Sequence, residues 1–328
     1  MTKEQAKKIF QDFEKLNILI IGDVMIDSYI WGNVERISPE APVPVLSAVK
    51  KEYRLGGAAN VALNIKALGA NPVICSVIGK DNNGFSFEGI LKKNDINRNY
   101  LVKDESRPTT IKTRAIAHQQ QLIRIDEEST GYLSDETQDK LKQSIHRAIE
   151  KEKIAAIVIQ DYNKGVLTPE IIKEVIKLSN DTHIPLLVDP KKQNFDLYGS
   201  LTLFKPNLRE LKEGLKVEIN KDDINGIIKL CKQTITEKNI QIILLTLSEK
   251  GIVICTRDES HHIAAIKRDI SDVSGAGDTV VGTASLCLAA KMDIYEIALI
   301  SNIAGGIVCE KVGVVPVDKE RLMEELVI

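Results

Sequence analysis

Asp272-Val273-Ser274-Gly275-Ala276-Gly277-Asp278-Thr279 combines what a phosphoryl transfer needs: a stretch without bulk and a carboxylate beside it. Gly275, Ala276 and Gly277 let backbone N–H groups approach an anion with no side chain intervening. The segment follows a candidate strand, His262–Ile266, and precedes Val280–Ala290, a small-residue and apolar run that reads as a helix. At a helix N-terminus the amides are unpaired and the dipole favours negative charge, which suits a phosphoryl group in transit. Asp278 falls in the first turn, where a carboxylate can accept the proton of an attacking hydroxyl. The same helix end predicts a lowered Asp278 pKa, so the residue orients the hydroxyl and takes its proton late. A glycine turn with an ordinary first-turn acid shares part of this pattern. Asp272, the Asp278-Thr279 pair and the strand–turn–helix setting favour chemistry.

Other residues offer partners. Asp27 ends the first strand segment, where open α/β sheets bind ligands, although a turn aspartate reads the same way. Gly57 and Asn60 open a helix, the glycine allowing close backbone approach, while Asn60 could also simply cap or pack. Asn207 and Glu210 stand three apart after Lys205-Pro206, on one face of a first helical turn. That spacing is also a capping box, and the two readings are compatible.

Elements that could hold these residues are legible. Short apolar runs at Asn17–Ile21, Pro72–Ile78, Ile154–Ile159, Pro185–Val188, Leu201–Phe204 and Ile240–Leu245 read as buried strands. Helical spacing lies between them at Ala58–Leu68 and Asp135–Lys151, with Ser134 as N-cap, and Thr168-Pro169 starts another helix. The alternation predicts an α/β fold, a mostly parallel sheet with helices on both faces. Two stretches break it. Residues 28–55 carry prolines at 39, 42 and 44 and alternate at Val43, Val45, Ser47 and Val49; residues 109–126 alternate similarly. Period two with polar partners predicts a small β-sheet lid, with two surface hairpins as the plainer alternative. With no repeat or linker, residues 1–328 read as a single domain.

The formal net charge of −2 argues against nucleic acid as a partner. Five scattered cysteines form no CxxC pair and read as buried thiols. The adjacent His261 and His262 read as surface residues. No apolar run reaches the ~18 residues that span a bilayer, and the expected compartment is the cytoplasm.

Taken in order, these segments resemble the ribokinase/PfkB carbohydrate kinase family along nearly the whole chain. Gly56-Gly57-Ala58-Ala59-Asn60 is similar to its first signature, Asn207-Leu208-Arg209-Glu210 to its N-x-x-E element, and Asp272–Thr279 to its second signature. Gly22–Asp27, Arg36–Val45, Gln120–Asp126, Asp161–Gly165 and Asp189–Lys191 resemble one branch, the D-glycero-β-D-manno-heptose 7-phosphate kinases. The resemblance implies a ribokinase-like fold with a β-sheet lid, dimerisation through that lid, ATP with Mg2+, and K+ beside the anion hole in some members. It implies phosphorylation of the anomeric hydroxyl to a 1,7-bisphosphate. Asp278 would be the base, with Gly275, Ala276 and Gly277 as the anion hole. Asp27, Gly56, Gly57, Asn60, Arg114, Gln121, Lys164 and Lys191 would hold the sugar. Asn207, Leu208, Arg209, Glu210, Thr246, Ser248, Gly251 and Asn302 would border the nucleotide, with Glu210 near Mg2+ through water. Ser248 stands where many members have glycine. The substrate phosphate would draw on Arg36, Lys112, Arg114, Arg124, Lys164 and Lys191. Many relatives fuse this kinase to a C-terminal nucleotidyltransferase; a chain ending at Ile328 is expected to lack that domain and to depend on a separate enzyme. Another ribokinase-like sugar or nucleoside kinase, or a non-catalytic sugar or nucleotide sensor, are the alternatives.

Overall fold

The computed structural model describes residues 1–118 and 120–327. In Asn17–Gly22 the strand period of two sends Ile18 and Ile20 into one hydrophobic core and Leu19 and Ile21 into another. A strand buried on both faces needs helices on both sides, and the chain supplies them. The strands are β1 (Asn17–Gly22), β2 (Val24–Ile37), β3 (Pro44–Gly57), β4 (Asn71–Gly79), β5 (Leu101–Asp104), β6 (Ile111–Ala117) and β7 (Gln120–Glu127). They continue with β8 (Ile154–Gln160), β9 (Leu186–Asp189), β10 (Leu201–Phe204), β11 (Ile240–Thr246), β12 (Ile252–Cys255) and β13 (Ser260–Ile263). The helices are α1 (Lys3–Phe13), α2 (Ala58–Ala67), α3 (Asn82–Lys93), α4 (Asp135–Lys151) and α5 (Pro169–Thr182). They end with α6 (Leu208–Leu215), α7 (Ile224–Lys238), α8 (Ala276–Ala289), α9 (Ile294–Val308) and α10 (Lys319–Leu326).

Among the described residues the main sheet runs β13-β12-β11-β10-β9-β8-β1-β4-β5. It is parallel from β11 to β5, and β12 and β13 add an antiparallel edge. One core packs it against α2, α8 and α9, the other against α4, α5 and α7. The expected strand at His262–Ile266 is displaced to Ser260–Ile263. Beyond it the backbone leaves the sheet, and the Asn302 side chain caps the Ala264 carbonyl at 2.9 Å. All five cysteines are buried and free, and His262 is exposed.

The two irregular stretches pair into a separate sheet of order β3-β2-β6-β7. Its base, Val24–Tyr29 with Leu55–Gly57, is buried, whereas β7 is exposed throughout. Alternation sorts its faces: Asp27, Tyr29, Lys112, Arg114 and Arg54 share one, and Ile30, Ala115, Ile123 and Ile125 the other. The proline-rich segment forms the exposed hairpin end, closed by Ser38 N–H donating to the Val43 carbonyl at 2.9 Å.

Candidate active site

The site gathers at the carboxyl ends of the parallel strands, where the helices that follow open their N-termini. Gly275 caps α8 with φ 82° and no side-chain bond. A Cβ there would come within 2.9 Å of Asn60 Nδ2, so any other residue both strains the backbone and pushes Asn60 aside. The first-turn amides of Gly277 and Asp278 have no acceptor among the described residues, whereas Ala276 N–H turns back to the Val273 carbonyl at 3.3 Å. The buried Lys205 lies beside Gly277 and is paired with Asp189 at 2.9 Å. Unpaired amides, a helix end and an ammonium together can hold an anion.

Asp278 is buried, and its carboxylate is well supplied with donors. Asn60 Nδ2 donates to Oδ2 at 2.8 Å; the Tyr162 hydroxyl and Gln160 Nε2 donate to Oδ1 at 2.7 and 3.2 Å. Burial pushes its pKa up to about 6, with Asp189 adding to the rise, while Asn60, Tyr162 and Lys205 pull it back. This corrects the expected fall: the helix end is a partial charge, and removing a carboxylate from water outweighs it. Asn60 is held from the next turn of α2, where Asn64 Nδ2 donates to its carbonyl at 2.9 Å and Asn64 Oδ1 takes Thr279 Oγ1 at 3.1 Å.

On the lid side, Asp27 is buried against Arg114. Gly56 and Gly57 have no room for side chains, because a Cβ would meet Asp27 Oδ2 at 2.2 Å and the Asp23 carbonyl at 2.4 Å. Lys112 sits 2.9 Å from both Asp126 and Glu128, and Lys164 reaches Glu128 at 2.6 Å. Arg124 pairs with Asp126. Gln121 and Arg36 are exposed on β7 and β2, away from this cluster.

On the other side of Asp278 a cleft of about 860 Å³ is lined by Lys191, Asn207, Glu210, Thr246, Ser248, Gly251 and Asn302. Lys191, read above with the sugar, pairs with Glu210 and lies 5.5 Å over the Tyr162 ring, among the residues read with the nucleotide. Asn207 and Glu210 form the reciprocal capping box at 2.8 and 2.9 Å, which leaves Glu210 fixed at the cleft wall. Leu208 and Arg209 border a neighbouring groove instead, Arg209 paired with Glu213. Ser248 has φ 52°, the left-handed region that glycine enters without strain.

Sequence reasoning missed Gln160, Tyr162, Asp189 and Lys205 as site residues. Each stands at or just past the end of an apolar strand, and a polar residue closing such a run was the available signal. It missed Asp23 too, whose buried carboxylate takes the amides of Tyr162, Lys164 and Val166 at 2.9, 3.2 and 3.1 Å and fixes that loop.

Residues 15–320 match the pfkB family carbohydrate kinases. The chain belongs to that family. A curated pfkB relative, the bifunctional protein HldE of Koribacter versatilis (strain Ellin345), is 39% identical over 316 residues, 94% of this chain and 63% of its own length. The chain spans a little under two thirds of the curated relatives it matches first. Among solved structures, phosphofructokinase-2 from Escherichia coli in complex with potassium superposes with a TM-score of 0.79 at 18% identity, covering 95% of this chain and 99% of that one. The Arabidopsis thaliana ribokinase complexed with ribose and ATP gives 0.69 at 16%, covering 94% and 99%. At such identities the likeness is one of fold, and the fold is ribokinase-like. No helix among the described residues is long and apolar enough to cross a membrane.

Proposed function

We propose that this pfkB kinase transfers the terminal phosphoryl group of ATP to the anomeric C1 hydroxyl of D-glycero-β-D-manno-heptose 7-phosphate, giving the 1,7-bisphosphate. One observation carries the reaction type: a buried carboxylate, Asp278, shares one helical turn with amides that lack an acceptor among the described residues. Asp278 orients the hydroxyl and takes its proton as the new bond forms. The amides of Gly277 and Asp278, with Lys205, meet the charge spreading over the phosphoryl oxygens. The sugar lies under the lid at Asp27, Arg114, Asn60 and the Gly56-Gly57 backbone, with its 7-phosphate toward Lys112 and Lys164. The branch resemblance and the HldE relative support this substrate.

No cluster of three or more His, Cys, Asp or Glu side chains that could hold a metal occurs among the described residues. This fits a divalent ion that arrives on the phosphates, with Glu210 addressing it through water. Bound Mg2+ would supply charge neutralisation between the phosphates. Asp189 Oδ1, buried with no partner among the described residues, is a further acceptor at the cleft. K+ is a further candidate cofactor, since the Escherichia coli phosphofructokinase-2 of the same fold was solved in complex with potassium. Faster turnover in potassium than in choline salts would support that cation, and a cytoplasmic location and a homodimer joined through the lid also belong to this reading.

The test is product analysis with ATP and Mg2+ against the heptose 7-phosphate, ribose and fructose 6-phosphate. A phosphorus resonance coupled to the anomeric proton is expected with the heptose phosphate alone. Turnover with ribose or fructose 6-phosphate and none with the heptose phosphate overturns the substrate.

A further inference from the structure

Tyr162 lies inside a motif read above only as a mark of the branch, yet it makes the shortest hydrogen bond that Asp278 receives. An ionised carboxylate offers about four acceptor positions, two on each oxygen. On Oδ1 both are filled, by the Tyr162 hydroxyl at 2.7 Å and Gln160 Nε2 at 3.2 Å. On Oδ2 one is filled, by Asn60 Nδ2 at 2.8 Å. A single position remains, on the oxygen beside Asn60. Gln160 is the weaker guard of Oδ1, since its bond is 0.5 Å longer (3.2 against 2.7 Å) and its second hydrogen goes to Asp189 Oδ2 at 3.0 Å. Closure of Oδ1 therefore depends on the phenol.

We propose that Tyr162 is a positioning residue that closes one oxygen of Asp278, so that only one hydroxyl of a polyhydroxylated substrate is presented for transfer. The loop is built to hold it there. Its own N–H and those of Lys164 and Val166 are gathered by Asp23. Asn163 turns the chain through φ 53°, with its N–H on Asp161 Oδ1 at 2.8 Å. The phenol is partly buried at the wall of the cleft, and the Lys191 ammonium lies over its ring. Burial, together with the charges of Asp278, Asp189 and Asp27, raises the Tyr162 pKa well above 10, so the hydroxyl stays a donor throughout the working range. The charged groups around Asp278 itself are Asp189, Lys205 and Lys191 from the ends of β9 and β10, with Asn60 as the neutral donor from α2.

The inference rests on Asp278 being the proton acceptor, and the experiment separates the two. Wild type, Asp278→Asn and Tyr162→Phe are compared for kcat across pH, KM for ATP, melting temperature and product identity. Tyr162→Phe deletes one oxygen and keeps the ring, so folding is retained. Removing a hydrogen bond to a charged acceptor raises the proton affinity of Asp278, and the acid limb of the kcat profile is expected to move up by about one pH unit. At pH 7 kcat falls about twofold through this shift, KM for ATP holds, and a second regioisomer of the phosphorylated sugar appears. An unmoved acid limb with a single product overturns the proposal, whether kcat is normal or falls together with the melting temperature. Persistent turnover in Asp278→Asn instead sinks the base reading, and this inference with it.

Discussion

Two influences oppose each other at Asp278, and their sizes decide how the site works. A helix N-terminus favours a carboxylate by about 0.3–1 kcal/mol, whereas burying one can cost several pKa units. Burial wins and sets the value near 6. The sign for activity follows: a base must be ionised, so kcat/KM is expected to be flat above pH 7. Below about 6 it should fall about tenfold per pH unit. Asp278→Asn should lose between about 10² and 10⁴ in kcat at every pH. A profile of kcat/KM with no acid limb between pH 5 and 7 contradicts the assignment. Asp278, Asn60 and the Gly275–Gly277 turn were legible in the sequence because each sits in a local pattern with its own physical meaning. Gln160, Tyr162, Asp189 and Lys205 were not, because their meaning is convergence: they stand at or just past the ends of β8, β9 and β10, and only the sheet brings them to one carboxylate.

The elements themselves were largely legible. Hydrophobic runs located β1, β4 and β8 to β11, and the side chains of Ser134 and Thr168 cap α4 and α5 as their types suggest. What pattern could not reveal is how the lid is tied to the chemistry. Arg54 on β3 donates through Nη1 to the carbonyls of Val312 and Val314 at 3.2 and 3.1 Å, and its guanidinium lies 4.9 Å from the centre of the Tyr29 ring. Tyr29 Oη takes the Val314 amide at 3.1 Å; between these bonds, Gly313 N–H donates to Asp272 Oδ2 at 2.9 Å. Asp272 Oδ1 in turn accepts from Ser274 N–H at 2.9 Å, at the start of the anion hole. A lid strand, the loop after α9 and the catalytic turn are thus one hydrogen-bonded unit. Arg54→Ala is expected to lower kcat about tenfold with little change in KM for ATP, and guanidinium added to the assay should restore part of it. An unchanged kcat, or a loss that guanidinium leaves untouched, removes Arg54 from this role.

At the scale of the whole molecule, the lid sheet has one polar face and one apolar face, and the apolar one is packed against the core at its base and open at its far end among the described residues. Asp27, Arg114 and Arg54 lie on the face engaged with the site, through bonds described above, while Ile123 and Ile125 lie on the other and are 56% and 52% exposed. Sheets with a wet apolar face are uncommon, because such a surface gains free energy when another covers it. β2 and β3 are each 14 residues long, β6 has 7 and β7 has 8. At ~3.3 Å per residue and ~4.8 Å between strands, the part of one face beyond the buried base amounts to roughly 500 Å². A standard interface takes roughly 800 Å² from each partner, so the open lid face could form a good part of one. A second copy of the chain is the occupant that matches an apolar face of this extent with its own like. Sedimentation velocity at micromolar concentration should find a dimer. Replacing Ile123 and Ile125 together with glutamate should give a monomer of unchanged fold, since like charges would then face each other across a closed surface. The variant's Asp278, Asn60 and Tyr162 geometry is untouched by the change. Any loss of turnover would therefore report that the lid needs its partner to close. A wild-type monomer, or a double variant that still sediments as a dimer, rejects this face as the interface.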